Sequence, residues 1–311
     1  MPEVFSPSPV VPLVALWHFA LGLTVGSFMN VCIYRLPRGL AVTGRSHCPS
    51  CGTTLRLSDL IPLFSQVVLG SRCRYCGARF SWRYFGVEAL IGALLAGAYL
   101  LAVYGPVDGT KAEHALWMVR MWIAVPCLVA IVFVDFETYT IPDGLVVALV
   151  VIGVASDIGY RVVGSTVFPP LGIPLGGGHE LPLLQSIQGA VVGFGGLWLL
   201  GRIFSAILGE EAMGYGDVKL MAGAGALLGP GWSLLGFFLL AVALGAVGGI
   251  AGILIRRLAG SSDSEHRVAK TRLPFGPFLA VSLGVCMLQP EGVADVVSMI
   301  YLAAWSPVPA A

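Results

Sequence analysis

The chain has 311 residues, of which 57% are hydrophobic and only 11% charged, and 41 of them are glycine. A soluble domain carries about 25% charged residues, so this composition excludes an ordinary water-soluble globule. The formal net charge of +1 selects no partner; the placement of the charges along the chain is what carries information.

Backbone inside a bilayer must satisfy its hydrogen bonds internally, by helix or closed barrel. The long apolar runs lack strand alternation, which argues against a barrel. The expected fold is an all-α polytopic membrane protein with about eight transmembrane helices and a small zinc-binding cytoplasmic segment between the first two. In chain order, residues 1–34 hold the first transmembrane helix, over about 10–33. No basic stretch precedes it and no small-residue cleavage site follows, so it does not read as a cleavable signal. Residues 35–83 form a polar segment with Arg35, Arg38, Arg45, Arg56, Arg72, Arg74, Arg79 and Arg83 against a single acid, Asp59. That excess of arginine predicts a cytoplasmic location. Residues 84–311 read as a multi-helix membrane domain, with apolar runs at about 84–104, 115–135, 142–160, 184–207, 217–229, 231–255 and 274–289. Most have the length a bilayer needs; 217–229 is short and reads as broken or tilted. The piece 293–305 reads as a ninth span or an interfacial segment.

Alternation from a cytoplasmic 35–83 places 105–114, 161–183 and 230 outside, and 136–141, 208–216 and 256–273 inside. The inside loop 256–273 has Arg256, Arg257, Arg267, Lys270 and Arg272, while the outside loops have only Lys111 and Arg161. The Gly- and Pro-rich stretch 164–183 reads as a long external loop.

Two acids stand out against this apolar background. Met213-Gly214-Tyr215-Gly216-Asp217-Val218-Lys219 places a carboxylate after a Gly-x-Gly step at the head of a span. Val134-Asp135-Phe136-Glu137 places another at the end of a span, with Ile141-Pro142-Asp143 opening the next. Acids at a membrane boundary are costly and mark function. Glycines beside one of them let another backbone come close. If Asp135 and Asp217 meet, two carboxylates in apolar surroundings can share one proton, the division that aspartyl hydrolysis needs. Asp143 is the rival to Asp135 and ranks second, because a first-turn acid is explained by the helix dipole. The plainer alternative makes these acids interfacial residues at helix ends. Glu137 is expected to face solvent.

Cys48-Pro49-Ser50-Cys51-Gly52 and Cys73-Arg74-Tyr75-Cys76-Gly77 are two Cys-x2-Cys knuckles. Their spacing is that of a four-cysteine zinc site, each glycine permitting the tight turn. The metal would then hold together a segment too small to build its own core. Free cysteines or disulfides are the competing reading. Cys32, Cys127 and Cys286 lie in apolar runs and read as small buried residues. His47 reads as a solvated neighbour of Cys48 and not as a ligand. The arginines meet anionic lipid more simply than nucleic acid, because no aromatic interleaving accompanies them.

With these residues the chain resembles the type IV prepilin peptidases, the bifunctional leader peptidase/N-methyltransferases of type IV pilus and type II secretion systems. The resemblance rests on 26–37 (Gly26-Ser27-Phe28-Met29-Asn30-Val31-Cys32), on the cysteine pairs with Asp59, Arg83 and Glu88, and on Asp135 with Ile141-Pro142-Asp143. It rests also on 214–220 around Asp217, and on Pro274-Phe275-Gly276-Pro277-Phe278. It implies an enzyme in the bacterial inner membrane with its active site facing the cytoplasm. Its substrates would be prepilins and pseudopilins, cleaved by Asp135 and Asp217. The new N-terminus would then be methylated from S-adenosylmethionine. No Gly-x-Gly-x-x-Gly loop is present for that donor, so methyl transfer follows from the resemblance alone, with Arg83 and Glu88 as candidate participants. A transporter would instead want acids near the bilayer midplane and an inverted repeat. A zinc-bearing scaffold would make the acids structural. A presenilin-type protease would want a late Pro-Ala-Leu motif, which is absent.

Overall fold

The computed structural model describes residues 9–105, 110–165, 184–211, 213–258 and 274–288. Helices account for the ordered elements: α1 (Val10–Arg35), α2 (Phe64–Val68), α3 (Arg83–Tyr104), α4 (Lys111–Thr138), α5 (Asp143–Val162), α6 (Gln185–Leu208), α7 (Tyr215–Leu228), α8 (Trp232–Leu258) and α9 (Gly276–Leu288). Among the described residues there is no β-strand, only two isolated bridges in the cysteine-bearing segment. Six of the helices are long and apolar enough to cross a membrane. The 14 residues of α7 and 13 of α9 reach about 20 Å at 1.5 Å per residue, short of the roughly 30 Å hydrocarbon core. Many apolar side chains point outward, among them Leu13, Val191, Ile207 and Val247, which is the pattern lipid requires and water would punish.

Three boundaries differ from the sequence reading by three residues or more, the first being the start of α4 at Lys111 where 115 was expected. The span placed at 115–135 continues as helix to Thr138, so Asp135 lies about one turn inside the helix and not at its end. The loop placed at 256–273 begins as helix, since α8 runs to Leu258. The stretch 293–305, and most of 164–183 and 256–273, lie outside the described residues.

The chain divides into two compact units, residues 1–130 and 131–311. In the first, α1 packs on α3 through glycine. A Cβ at Gly22 would lie 2.8 Å from the Gly92 Cα, and one at Gly26 would lie 2.7 Å from the Glu88 Cα. Without water to drive apolar association, membrane helices gain contact by close approach at small residues. His18 stacks on Tyr99, ring centroids 4.6 Å apart, with Trp17 and Trp122 at its edges. Between α1 and α3 the chain makes its polar excursion. Arg35, buried, donates to the carbonyls of Ala41, Thr43 and Arg45 at 3.2, 2.8 and 3.1 Å, so one guanidinium stitches the exit loop.

In the second unit α7 is the hub. It packs against α5, α6, α8 and α9, and its buried face is Val218, Leu220, Met221, Ala224 and Leu227. The α6–α7 contact is glycine on glycine: a Cβ on Gly225 would overlap the Gly189 carbonyl, and one on Gly193 would overlap that of Met221. On the other side, Gly153 of α5 abuts the Ala226 carbonyl. Gly225→Val is therefore expected to destabilise this unit by about 3 kcal/mol, the upper range for overpacking. Gly195→Ala, in open space, is expected to be neutral. Thermal unfolding in detergent compares the two.

Candidate functional site

The second unit gathers both aspartates. Asp135 stands on the last turn and a half of α4 and is 6% exposed. Beyond it the helix stops abruptly: the Tyr139 N–H still reaches the Asp135 carbonyl at 2.9 Å, but Tyr139 itself takes φ +53°. The Thr138 hydroxyl donates back to the Val134 carbonyl at 2.9 Å. This hard stop turns the chain so that Ile141 falls back into the unit, buried, and Pro142 caps α5.

Asp217 is the third residue of α7 and half-buried. Its position in the first turn suits a carboxylate, since the helix N-terminus carries partial positive charge. The carboxylates of Asp135 and Asp217 lie near enough for the charge of one to act on the other. Two glycines make that approach possible. A Cβ on Gly216 would sit 3.3 Å from Ile141, and one on Gly276 would sit 3.2 Å from Ile141 Cδ1. Ile141 is thus a wedge between the residue before Asp217 and the start of α9.

Gly276 does more than make room. Its N–H donates to Asp135 Oδ2 at 3.0 Å, a buried bond. A Cβ there would stand 2.6 Å from the same oxygen. The Phe-Gly-Pro motif had been visible in the sequence; that its glycine amide holds one of the two acids was not, because backbone donors leave no trace in residue type. Asp143 lands elsewhere. It is exposed and ion-paired to Lys219, which spans the first turns of α5 and α7. The helix-dipole argument used to demote it applies equally to Asp217; what separates them is that Asp143 has a cation and Asp217 faces another acid. Glu137 is exposed, as expected.

The first unit holds the cysteines. Each knuckle repeats one hydrogen-bond pattern. Cys48 N–H donates to Thr53 at 2.9 Å and Gly52 N–H to Cys48 at 2.8 Å; Cys73 N–H donates to Ala78 at 2.8 Å and Gly77 N–H to Cys73 at 2.9 Å. Gly52 and Gly77 take φ +70° and +72°, the left-handed geometry that glycine adopts without strain. The four sulfurs lie within 4.8 Å of one another, Cys48 and Cys76 at 3.9 Å. Tetrahedral thiolate ligation at about 2.3 Å would set neighbouring sulfurs about 3.8 Å apart, so the cluster fits a metal ion. Hydrogen bonding with the Thr53 hydroxyl and amide pulls the Cys51 thiol down to about 6, while burial and the neighbouring thiols push Cys76 up. Within 36–82 the buried side chains are Cys48, Cys73, Ser65 and Ser71: the cysteines stand where a core would be. His47 is exposed and outside the cluster. Cys32, Cys127 and Cys286 are buried and unbridged.

Residues 20–102 match the model of the bacterial peptidase A24 N-terminal domain, and residues 122–250 that of the type IV leader peptidase family. The chain is 33% identical over 299 residues to a prepilin leader peptidase/N-methyltransferase of Dickeya chrysanthemi, covering 88% of this chain and 91% of that protein. It is 32% identical over 286 residues to one from Burkholderia pseudomallei strain K96243, covering 84% and 80%. A third, from Pseudomonas aeruginosa, is 32% identical over 292 residues, covering 86% and 88%. No solved structure matches the chain.

Proposed function

This chain belongs to the type IV leader peptidase family, and from that premise we propose that it cuts the leader from prepilins at the inner face of the bacterial cytoplasmic membrane and methylates the new N-terminus, with Asp135 and Asp217 as the catalytic pair. What supports the assignment of the pair is that acids 82 positions apart in the sequence fall in one compact unit, near enough for the charge of one to act on the other, and that the Gly276 amide bonds to one of them.

The chemistry follows from two carboxyl groups holding one proton. The ionised carboxylate takes a proton from a water molecule, whose oxygen attacks the scissile carbonyl carbon. The protonated partner donates a hydrogen bond to the carbonyl oxygen as it gains charge. Breaking the C–N bond returns a proton to the leaving amine and leaves the leader with a new carboxylate. A transporter would use paired acids to bind ions, but family membership favours hydrolysis.

The arginine-rich segment 35–83, against the arginine-poor outside loops, supports placing the cysteine segment and the aspartates on the cytoplasmic side. The four thiolates suit zinc, as a structural ion held by Cys48, Cys51, Cys73 and Cys76. The methyl donor in this reading is S-adenosylmethionine. In domain terms, 1–34 anchors, 35–83 carries the metal and serves methylation, and 84–311 is the peptidase. The direct test is incubation of the purified protein in detergent with a prepilin and S-adenosylmethionine, following leader loss and addition of one methyl group by mass. Intact leader after prolonged incubation would refute it.

Gly276→Ala tests the amide's part. Its methyl group would crowd Asp135 Oδ2, and misplacing a reacting group by about 1 Å costs on the order of a hundredfold in rate. Cleavage is expected to fall by about that much while the unfolding temperature changes little.

A further inference from the structure

A cavity of about 160 Å³ opens in the first unit, between the ends of α1 and α3 and the cysteine-bearing segment. It is spatially large, since a single water needs about 10–15 Å³ by the same measure. Its walls are aromatic and aliphatic: Tyr34, Phe80, Tyr84 and Leu55. Asn30, 2% exposed, lines it. The Asn30 amide nitrogen donates to the Tyr84 carbonyl at 3.0 Å, but its Oδ1 is buried and accepts nothing. A buried carbonyl oxygen without a donor costs about 1–3 kcal/mol, so its persistence points to a donor that arrives with a ligand.

Glu88 lines the same cavity and is 5% exposed. Its carboxylate accepts the Leu63 amide at 2.8 Å and the Ser27 hydroxyl, which leaves about two of its four acceptor positions to fill. The other acid on the wall, Asp59, is spoken for. It accepts from the Arg56 amide, Arg74 and Tyr75 at 3.1, 2.7 and 3.0 Å. Arg35, the cation on the wall, is held by the three loop carbonyls, which take three of its five N–H donors. What is left over is acceptor capacity on Asn30 and Glu88, ringed by aromatic faces. That combination recognises a cation bearing N–H donors.

We propose that this cavity is the methyl-transfer site, where Asn30 Oδ1 and the Glu88 carboxylate receive an α-ammonium group. The proposal rests on the reading above that the protein methylates the terminus it exposes. Two molecules in that reaction carry such a group: the cut substrate, at its new N-terminus, and the methyl donor, on its methionine part. For the substrate's ammonium, Glu88 accepts one proton and leaves a neutral amine. The amine nitrogen then forms a bond to the methyl carbon as the sulfur–carbon bond of the donor breaks. The sulfonium becomes a neutral thioether, and the positive charge ends on the methylated amine.

The test uses the full chain in detergent, with Glu88→Gln and Asn30→Ala. The ratio of methylated to cleaved product is expected to fall about tenfold or more, the loss of a hydrogen bond to a charged group. Titration calorimetry with S-adenosylhomocysteine, and the KM for a synthetic peptide that begins at the cleavage point, separate the two sources. A raised peptide KM with unchanged S-adenosylhomocysteine binding assigns the site to the substrate amine; weakened S-adenosylhomocysteine binding assigns it to the donor. Leu55→Trp, which fills the cavity from the wall without removing either acceptor, is expected to lower the ratio as well and decides the matter if the other variants unfold. An unchanged ratio in Leu55→Trp, or in both folded acceptor variants, overturns the proposal. Failure of the wild type to cleave at all would instead strike the functional reading on which it rests.

Discussion

Asp135→Asn and Asp217→Asn are each expected to abolish leader cleavage, with a loss of about four orders of magnitude or more, and the double variant is expected to be no worse than either alone. The reason is that the pair works as a unit. One carboxylate is useful only while the other takes the opposite protonation role, and groups that act together lose nearly everything when one is removed. Asparagine keeps the shape and can still accept the Gly276 amide at position 135, so the loss would report chemistry and not collapse. Asp143→Asn is the control. Its ion pair with Lys219 is largely exposed on the aspartate side, and such pairs contribute about 0–1 kcal/mol. Cleavage is expected to stay within about threefold of wild type, a margin set by that same small energy. Rates measured on one prepilin preparation for wild type and the four variants decide it; appreciable turnover by Asp217→Asn, or an inert Asp143→Asn, would remove Asp135 and Asp217 from the centre of the mechanism.

Stripping the metal is expected to have the second largest effect. A structural four-thiolate site in small peptides contributes on the order of 10 kcal/mol of folding free energy. Here the stretch between the two knuckles buries two cysteines and two serines and no large apolar side chain, so little else would keep it ordered. Cys73→Ser, or prolonged treatment with a strong chelator, is expected to release the metal and expose residues 46–80 to proteolysis. Metal analysis and limited proteolysis measure both. Methylation is expected to fail with it, because Leu55 and Phe80, on the cavity wall, flank the two knuckles in sequence. Both aspartates and Gly276 belong to the other compact unit, so cleavage is expected to outlast methylation as metal is withdrawn. Full protease resistance of the metal-free protein would contradict this account.

Length and polarity made the helices legible, since a bilayer demands runs of a given apolar length regardless of what they pack against. The knuckles were legible for a similar reason: ligand spacing and the glycine behind each second cysteine are local matters of turn geometry. The aspartates could be singled out as anomalies, because a charge at a span boundary is conspicuous against apolar residues. Where α4 ends was less visible. Apolar periodicity faded at Asp135, but backbone hydrogen bonding carried the helix to Thr138 and the positive φ of Tyr139 stopped it.

What the sequence by itself determined, then, is what neighbours along the chain set: the long apolar runs, the thiolate spacing and the identity of the unusual acids. Tertiary structure alone decided which acids come near one another. It paired Asp143 with Lys219, brought Asp217 within reach of the charge of Asp135, and brought the Gly276 amide from 141 positions away to hold one carboxylate oxygen. It also left Asn30 with an unused acceptor in a cavity. These are matters of distance between remote segments, fixed by which glycines let helices touch, and residue order alone does not encode distance.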